Sequence, residues 1–278
     1  MQIGLRLHDS AKVEFEKRIE NVHNQGFKCV HLAMSKIEGL TWDDAALTPG
    51  YAAYLKHAFD KQQLDIAVLG CYKNLADPDE AKLAATIKKY ITNIRFGAML
   101  GVGVVGTETG NTNTEYKTDP ADWTSTKALD IFIKNLRTVV EAAEKFGVNF
   151  AIEPVWKHIV CTPERALTVL KEISSPNLSI ILDPVNLVSP AKYEARNDTI
   201  ANAINLLGDY VSIIHIKDCV LENGDVKSIG AGEGDMDYTQ ILEFAKARKP
   251  YIQATLENTK PETAEKSRLF IQNQYDKL

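Results

Sequence analysis

From end to end the chain alternates short apolar runs of strand character with longer amphipathic stretches of helical period, eight times in 278 residues. Strand-like runs fall at 2–7, 29–33, 64–70, 101–107, 148–153, 178–183, 211–215 and 251–257. Helical patterns fall at 10–25, 42–61, 78–100, 127–146, 163–174, 198–207, 237–249 and 261–275. Punctuation agrees with these limits: Gly26 and Gly147 suit helix C-termini, and Asp77 followed by Pro78 suits a capped first turn. No linker, low-complexity tract or sequence repeat divides the units. The pattern predicts an α/β fold of the (β/α)8 TIM-barrel type, with residues 1–278 as a single domain. A doubly wound sheet would need a Gly-rich turn after an early strand, whereas the glycines at 230–234 follow the seventh run and do not fit G-x-G-x-x-G.

Two segments stand outside the alternation. Asn223-Gly224 between two strand-like stretches predicts a type I′ hairpin after the seventh strand. The polar stretch 108–124 is long enough to be a functional loop or lid.

With 45% hydrophobic residues the chain can bury a full-size core, and its net charge of −5 with scattered basic residues argues against a nucleic-acid partner. Cys29, Cys71, Cys161 and Cys219 lie far apart, so free thiols are expected rather than a zinc knuckle or disulfide framework. The N-terminal residues lack the pattern of a signal peptide, and no apolar run approaches the ~18 residues of a membrane span. The reading is therefore a cytoplasmic protein with no membrane partner.

The functional signal lies in how the later runs end. Asn149–Glu153 stops on a carboxylate before Pro154, 178–183 on Asp183 before Pro184, 211–215 on His215, and 251–257 on Glu257. These four residues are separated by 30, 32 and 42 positions, about one strand–helix unit each. In a barrel they occupy the carboxyl ends of consecutive strands, where side chains converge on one pocket. A lone acid or histidine at a strand end is ordinarily a satisfied rim residue, but four in succession point to a metal. Three carboxylates and one imidazole suit a single divalent Mn, Mg, Co or Zn ion with open positions for substrate oxygens.

The motifs Ile152-Glu153-Pro154, Leu182-Asp183-Pro184-Val185-Asn186, His215-Ile216-Lys217-Asp218, Gly232-Glu233-Gly234-Asp235-Met236-Asp237 and Thr255-Leu256-Glu257 resemble the xylose-isomerase-like TIM barrels. Within them the chain is similar to the sugar-phosphate isomerase/epimerase group, relatives of inosose isomerase/dehydratase and D-tagatose 3-epimerase. The resemblance runs over essentially the whole chain. It implies that Glu153, Asp183, His215 and Glu257 bind one divalent metal, and that Glu153 and Glu257 are also the catalytic acid/base pair. It implies a small carbohydrate substrate, an enediolate route and a homo-oligomer, dimer or tetramer.

Three departures bear on substrate. Asn186 stands where the tagatose epimerases carry a substrate-binding histidine, Trp156-Lys157-His158-Ile159 replaces their Asn-Arg-aromatic-Glu segment, and Leu221 replaces an arginine. These leave the metal site intact and count against ketohexose epimerisation.

Other residues at strand ends are weighed singly. His158 could contact substrate or a second metal, or pack a loop; Lys217 points the same way as His215 and could reach a substrate oxygen or phosphate, or pair with a carboxylate. His8 and Arg6 could bind an anion, Arg6 alternatively pairing inside the barrel floor. Cys71, Tyr72 and Trp156 could wall a sugar site, and Glu108 could form its polar side. The turn at 230–234 is favoured as a tight turn over a phosphate cradle.

The leading reading is a metal-dependent isomerase or epimerase of a small sugar, polyol or sugar phosphate. A keto-inositol or keto-sugar dehydratase shares its first step. Further alternatives are an endonuclease IV-like repair enzyme, for which the chain has too few strand-end histidines, and a sugar-binding barrel without turnover.

Overall fold

The structure is a computed structural model that describes residues 1–114 and 120–278. Among the described residues eight parallel strands close into a barrel: β1 (Gln2–Arg6), β2 (Cys29–Leu32), β3 (Asp65–Gly70), β4 (Val104–Glu108), β5 (Asn149–Glu153), β6 (Leu178–Leu182), β7 (Val211–Ile216) and β10 (Gln253–Leu256). They neighbour one another in chain order, and β10 closes against β1 in the register Gly4 to Thr255. The helices α1 (Phe15–Asn24), α2 (Pro49–Lys61), α3 (Glu80–Leu100), α4 (Pro120–Thr124), α5 (Thr126–Phe146), α6 (Pro163–Ile173), α7 (Arg196–Leu207), α8 (Thr239–Arg248) and α9 (Ala264–Lys277) follow the strands. The hairpin β8 (Asp218–Glu222) and β9 (Asp225–Ile229) extends beyond β7, with Asn223 at φ 53° and Gly224 at φ 81°, the left-handed pair a type I′ turn requires.

Helix starts are set by side-chain caps. Thr48 accepts from the Tyr51 amide and places Pro49 in the first turn of α2, so Trp42 lies ahead of the helix rather than in it. Asp79, not Asp77, caps α3 by accepting from the Ala81 and Lys82 amides. Glu14 caps α1 five residues later than the pattern predicted, leaving Leu7–Asp9 as a 3-10 turn at the barrel mouth. Of the expected 108–124 loop, 115–119 lies outside the described residues and 120–124 is α4.

The main core lies between barrel and helices. Along α5, Leu129, Phe132, Leu136, Val139, Val140 and Ala143 recur every three or four positions and are buried against it. Each large apolar side chain so buried contributes about 1.5–3 kcal/mol.

A second cluster fills the barrel interior and includes Cys29, Ala151, Ile181 and Ile213. Side chains alternate across a strand, so two residues further on the next inward position is reached. In the same four strands it is His31, Glu153, Asp183 and His215. The apolar plug is thus the floor on which a polar layer rests. No helix among the described residues is long and apolar enough to cross a membrane.

Candidate metal centre

Strand register sets the layer. Glu108 on β4 is level with Glu153 on β5, and Thr255 is level with His215, which puts Glu257 beside Lys217 one pleat higher. Glu153, Asp183, His215 and Glu257 are all buried, at 4% exposure or less. His215 Nδ1 lies 3.3 Å from Glu153 Oε1 and 3.4 Å from Glu257 Oε1. The donor atoms form two overlapping sets, Glu153–Asp183–His215 and His31–His215–Glu257, with the atoms of each set within 4.8 Å of one another.

Cations and amides are threaded through this group. Lys217 Nζ lies 2.8 Å from Asp183 Oδ2 and 3.4 Å from Glu257 Oε2, the carboxylate pairing that was one of its two expected roles. Arg6 donates to Glu257 Oε2 at 3.2 Å and grips Asp9 with two hydrogen bonds of 2.9 and 3.1 Å. It therefore faces the mouth and not the floor. Asn186 donates its side-chain amide to Glu153 Oε1 at 2.6 Å, while its backbone amide donates to Asp183 Oδ1 at 3.1 Å.

His31 is the residue that the sequence reading missed. Its ring stacks on that of His215 with centroids 5.1 Å apart, its Nδ1 lies 3.5 Å from Glu257 Oε1, and its Nε2 meets the Tyr72 hydroxyl at 3.1 Å. The period-two reading that links Ala151 to Glu153 also links Cys29 to His31, so the signal was present. Gly70 makes the room: a Cβ there would meet His31 Nε2 at 2.6 Å.

A cavity of ≈ 600 Å³ opens above the layer, and Arg6, His8, Tyr72, Glu108, Glu153, His158, Asn186, Lys217 and Glu257 line it. Asp183 and His215 sit just beneath its surface, fully buried. Trp42, Lys36 and Lys73 join the lining without having been singled out from the sequence. Two expected wall residues do not take part. Cys71 is wholly buried in the core, and Trp156 lies outside the lining, its backbone amide donating to the Asn186 carbonyl at 2.8 Å. His158 is near Glu108, Nδ1 to Oε2 3.6 Å. The 230–234 turn is a closed turn: Asp218 accepts from the Gly232 and Met236 amides at 3.0 and 2.9 Å.

The electrostatics are strained in a telling way. Burial first, then the neighbouring Glu257 charge, raises the Glu153 carboxyl to about 7. Burial and Glu153 raise Glu108 to about 7 as well, although its side chain is 41% exposed and solvent softens the effect. Burial also raises Asp183 against the pull of Lys217. Glu257 moves the other way: burial would raise it, but His215, Lys217, the His31 hydrogen bond and Arg6 hold it well below the usual carboxylate range. Burial lowers both His215 and His31, which favours neutral imidazoles able to ligate.

This donor set fits a divalent cation. Three buried carboxylates face two buried or half-buried cations, an imbalance that costs free energy unless further positive charge or protons arrive. Among the described residues, Asp183 Oδ2 accepts no well-directed hydrogen bond despite its ion pair, and His215 Nε2 has no hydrogen-bond partner.

Comparison with known proteins bears on the fold that carries these residues. A family profile described as xylose isomerase-like TIM barrel matches residues 19–274. An uncharacterized protein of Methanocaldococcus jannaschii is 24% identical over 205 residues, which make up 72% of this chain. The chain spans 66% of that curated relative's length. Among solved structures, the 3-keto-D-glucoside 4-epimerase of E. coli superposes with a TM-score of 0.75 at 17% identity, over 98% of this chain and 99% of that one. The probable 3-DHS dehydratase of Bacillus anthracis gives 0.74 at 16%, over 98% and 99%. The IOLI protein, solved with a bound zinc atom, gives 0.74 at 18%, over 99% and 96%. At these identities the structural likeness is one of fold.

Proposed function

The chain belongs to the xylose isomerase-like TIM barrel family, and on that premise we propose that it is a divalent-metal-dependent isomerase or epimerase of a small sugar, polyol or sugar phosphate. The observation that carries the proposal is the convergence of Glu153, Asp183, His215 and Glu257 from four neighbouring strands beneath one cavity. In this reading the four hold the ion. When bound, a divalent cation supplies Lewis acidity to adjacent oxygens of a hydroxy-carbonyl substrate.

The chain's own groups do the rest. Glu153 and Glu257 both lie within 3.4 Å of the same His215 nitrogen, which suits one to remove a proton from the carbon next to the carbonyl and the other to return it. Asn186 orients Glu153, and Arg6 and Lys217 orient Glu257 and keep it ionised. Glu108 and His158 offer hydrogen-bonding partners for substrate hydroxyls on the cavity wall. The outward-facing Lys36, Lys73 and Lys157 leave its mouth basic.

The test has two parts. Elemental analysis of purified protein is expected to find roughly one divalent ion per chain, and incubation in D₂O with ketoses, aldoses and keto-inositols is expected to place deuterium next to a carbonyl. Glu257→Gln should abolish that exchange and leave the circular dichroism spectrum unchanged. Silence across the whole panel would sink the reading, and growth of ultraviolet absorbance from a conjugated product would move it to a dehydratase.

A further inference from the structure

The cavity above the carboxylates is open on one side. Trp42, Tyr72 and Lys73, which line it, also line an adjacent, larger groove of ≈ 1240 Å³. This groove lies between the loop after β2, which carries Trp42, and the first half of α3. Lys82, Ala85, Thr86 and Lys89 border it from one stripe of that helix, three or four residues apart. The small side chains Ala85 and Thr86 keep its floor low between the two lysines.

Trp42 is fixed in place. Its indole nitrogen donates to Asn93 Oδ1 at 3.2 Å, and Lys89 both donates to its carbonyl and lies 4.3 Å from the ring centroid. Lys89 is already neutralised by Asp44 at 2.6 Å, and the Asp77 carboxylate accepts from the Asp79 amide and the Thr114 hydroxyl. Lys73, Lys82 and Lys88 are different: among the described residues none has an ion-pair partner. Lys73, Lys82, Lys88, Lys89 and Arg95 outnumber Asp43, Asp44 and Asp77 in the lining, so on a chain of net charge −5 the groove is a locally basic surface beside the active cavity.

We propose that this groove is a second subsite of the same centre, and that it takes the distal, negatively charged half of a substrate larger than a monosaccharide. The substrate class is a sugar conjugate bearing a phosphate or carboxylate away from the reacting carbon. The proposal rests on the reading that the reacting carbon sits over Glu153 and Glu257. A cavity of ≈ 600 Å³ is of the size that encloses a small ligand, so the additional groove has no use for a lone small sugar. Each exposed lysine–anion pair is weak, but two or three acting together reach a tenfold preference, about 1.4 kcal/mol.

The experiment is calorimetric titration of the metal-loaded protein with glucose, trehalose, trehalose 6-phosphate and lactobionate. At least one acidic disaccharide is expected to bind ten times more tightly than trehalose, and the arm that does so identifies phosphate or carboxylate as the recognised group. The preference should weaken when salt rises from about 50 mM to about 500 mM. In the Lys82→Glu/Lys88→Glu double variant it should fall below twofold. It should persist in Lys145→Glu/Lys171→Glu, which changes net charge equally on α5 and α6, away from the groove. Equal affinity for trehalose and both acids, or a preference indifferent to reversing the groove charges, overturns the proposal. Trehalose, its phosphate and lactobionate carry no aldehyde or ketone, so deuterium exchange is run on the same protein with the panel of ketoses, aldoses and keto-inositols, and it separates the two readings. Groove-dependent binding with no exchange overturns the isomerase and keeps the subsite, and exchange with no groove-dependent preference does the reverse.

Discussion

Buried histidines and raised carboxylates pull the stability of the metal-free protein in opposite directions as pH changes. His8 and His158 are pushed down to about 4 by burial, and His31 and His215 are also lowered, so the unfolded chain binds more protons than the folded one below about 6.5. Their contribution is gained as pH rises to that point. Glu153, raised to about 7, has the opposite sign: the folded state holds its proton more tightly, and the stability this confers is lost as pH rises through about 7. The two effects overlap between about pH 4.5 and about 7, where the Glu153 loss blunts the larger histidine gain. Urea denaturation of chelated protein across this range should therefore show stability rising with pH, and Glu153→Gln should steepen the rise. An unchanged slope in that variant would remove Glu153 as the opposing group. Divalent ions should bind more tightly over the same rise, since they compete with that proton. At single positions the sequence marked where a polar residue closes an apolar run, as at Glu153, Asp183, His215 and Glu257, which the fold brings together. It was a poor guide where direction mattered. Cys71 and Trp156 lie just past strand ends yet stay out of the cavity, because chain curvature past a strand's last residue is not encoded in its period.

Elements differ in how far their limits were readable. The hairpin β8–β9 follows directly from Asn223-Gly224, because the left-handed φ values at those positions favour these residues locally. Helix starts were read too early at α1, α2 and α3, since amphipathic period continues into segments that a capping side chain cuts off. The consequence at α2 is functional: with Thr48 and Pro49 starting the helix, Trp42 is released to the rim of both the cavity and its groove. At the end of β3 the packing is tight enough to test. Gly70→Ala would place a Cβ 2.6 Å from His31 Nε2 and 2.7 Å from the Tyr72 ring. It should destabilise the fold by about 1–3 kcal/mol, the usual cost of overpacking, and break the His31–Tyr72 hydrogen bond. Denaturant midpoints read the first effect, and the His31 imidazole resonances read the second. A variant as stable as the parent would show that β3 can yield at this point.

For the molecule as a whole, ligand and fold are thermodynamically linked through the polar layer. If the centre binds a divalent ion only when folded, metal at about 100 times its Kd adds about 2.7 kcal/mol, which in a chain of this size raises the melting temperature by on the order of 5 to 10 °C. Differential scanning calorimetry before and after chelation checks this, and identical transitions would argue that no ion is held. The eight-unit alternation, the apolar faces of the helices and the four strand-end candidates could all be read from the chain, because period, run length and turn chemistry act between residues near in sequence. Closure could not. Arg6 meets Glu257, and His31 stacks on His215, because β1 pairs with β10 in one particular register across some 250 residues. Long-range register is fixed by how the whole barrel fills its interior and carries no local signature. It is this register that sets Arg6 against Glu257 and not against Glu153, so that of two chemically identical side chains one is held well below the usual carboxylate range and the other is raised to about 7.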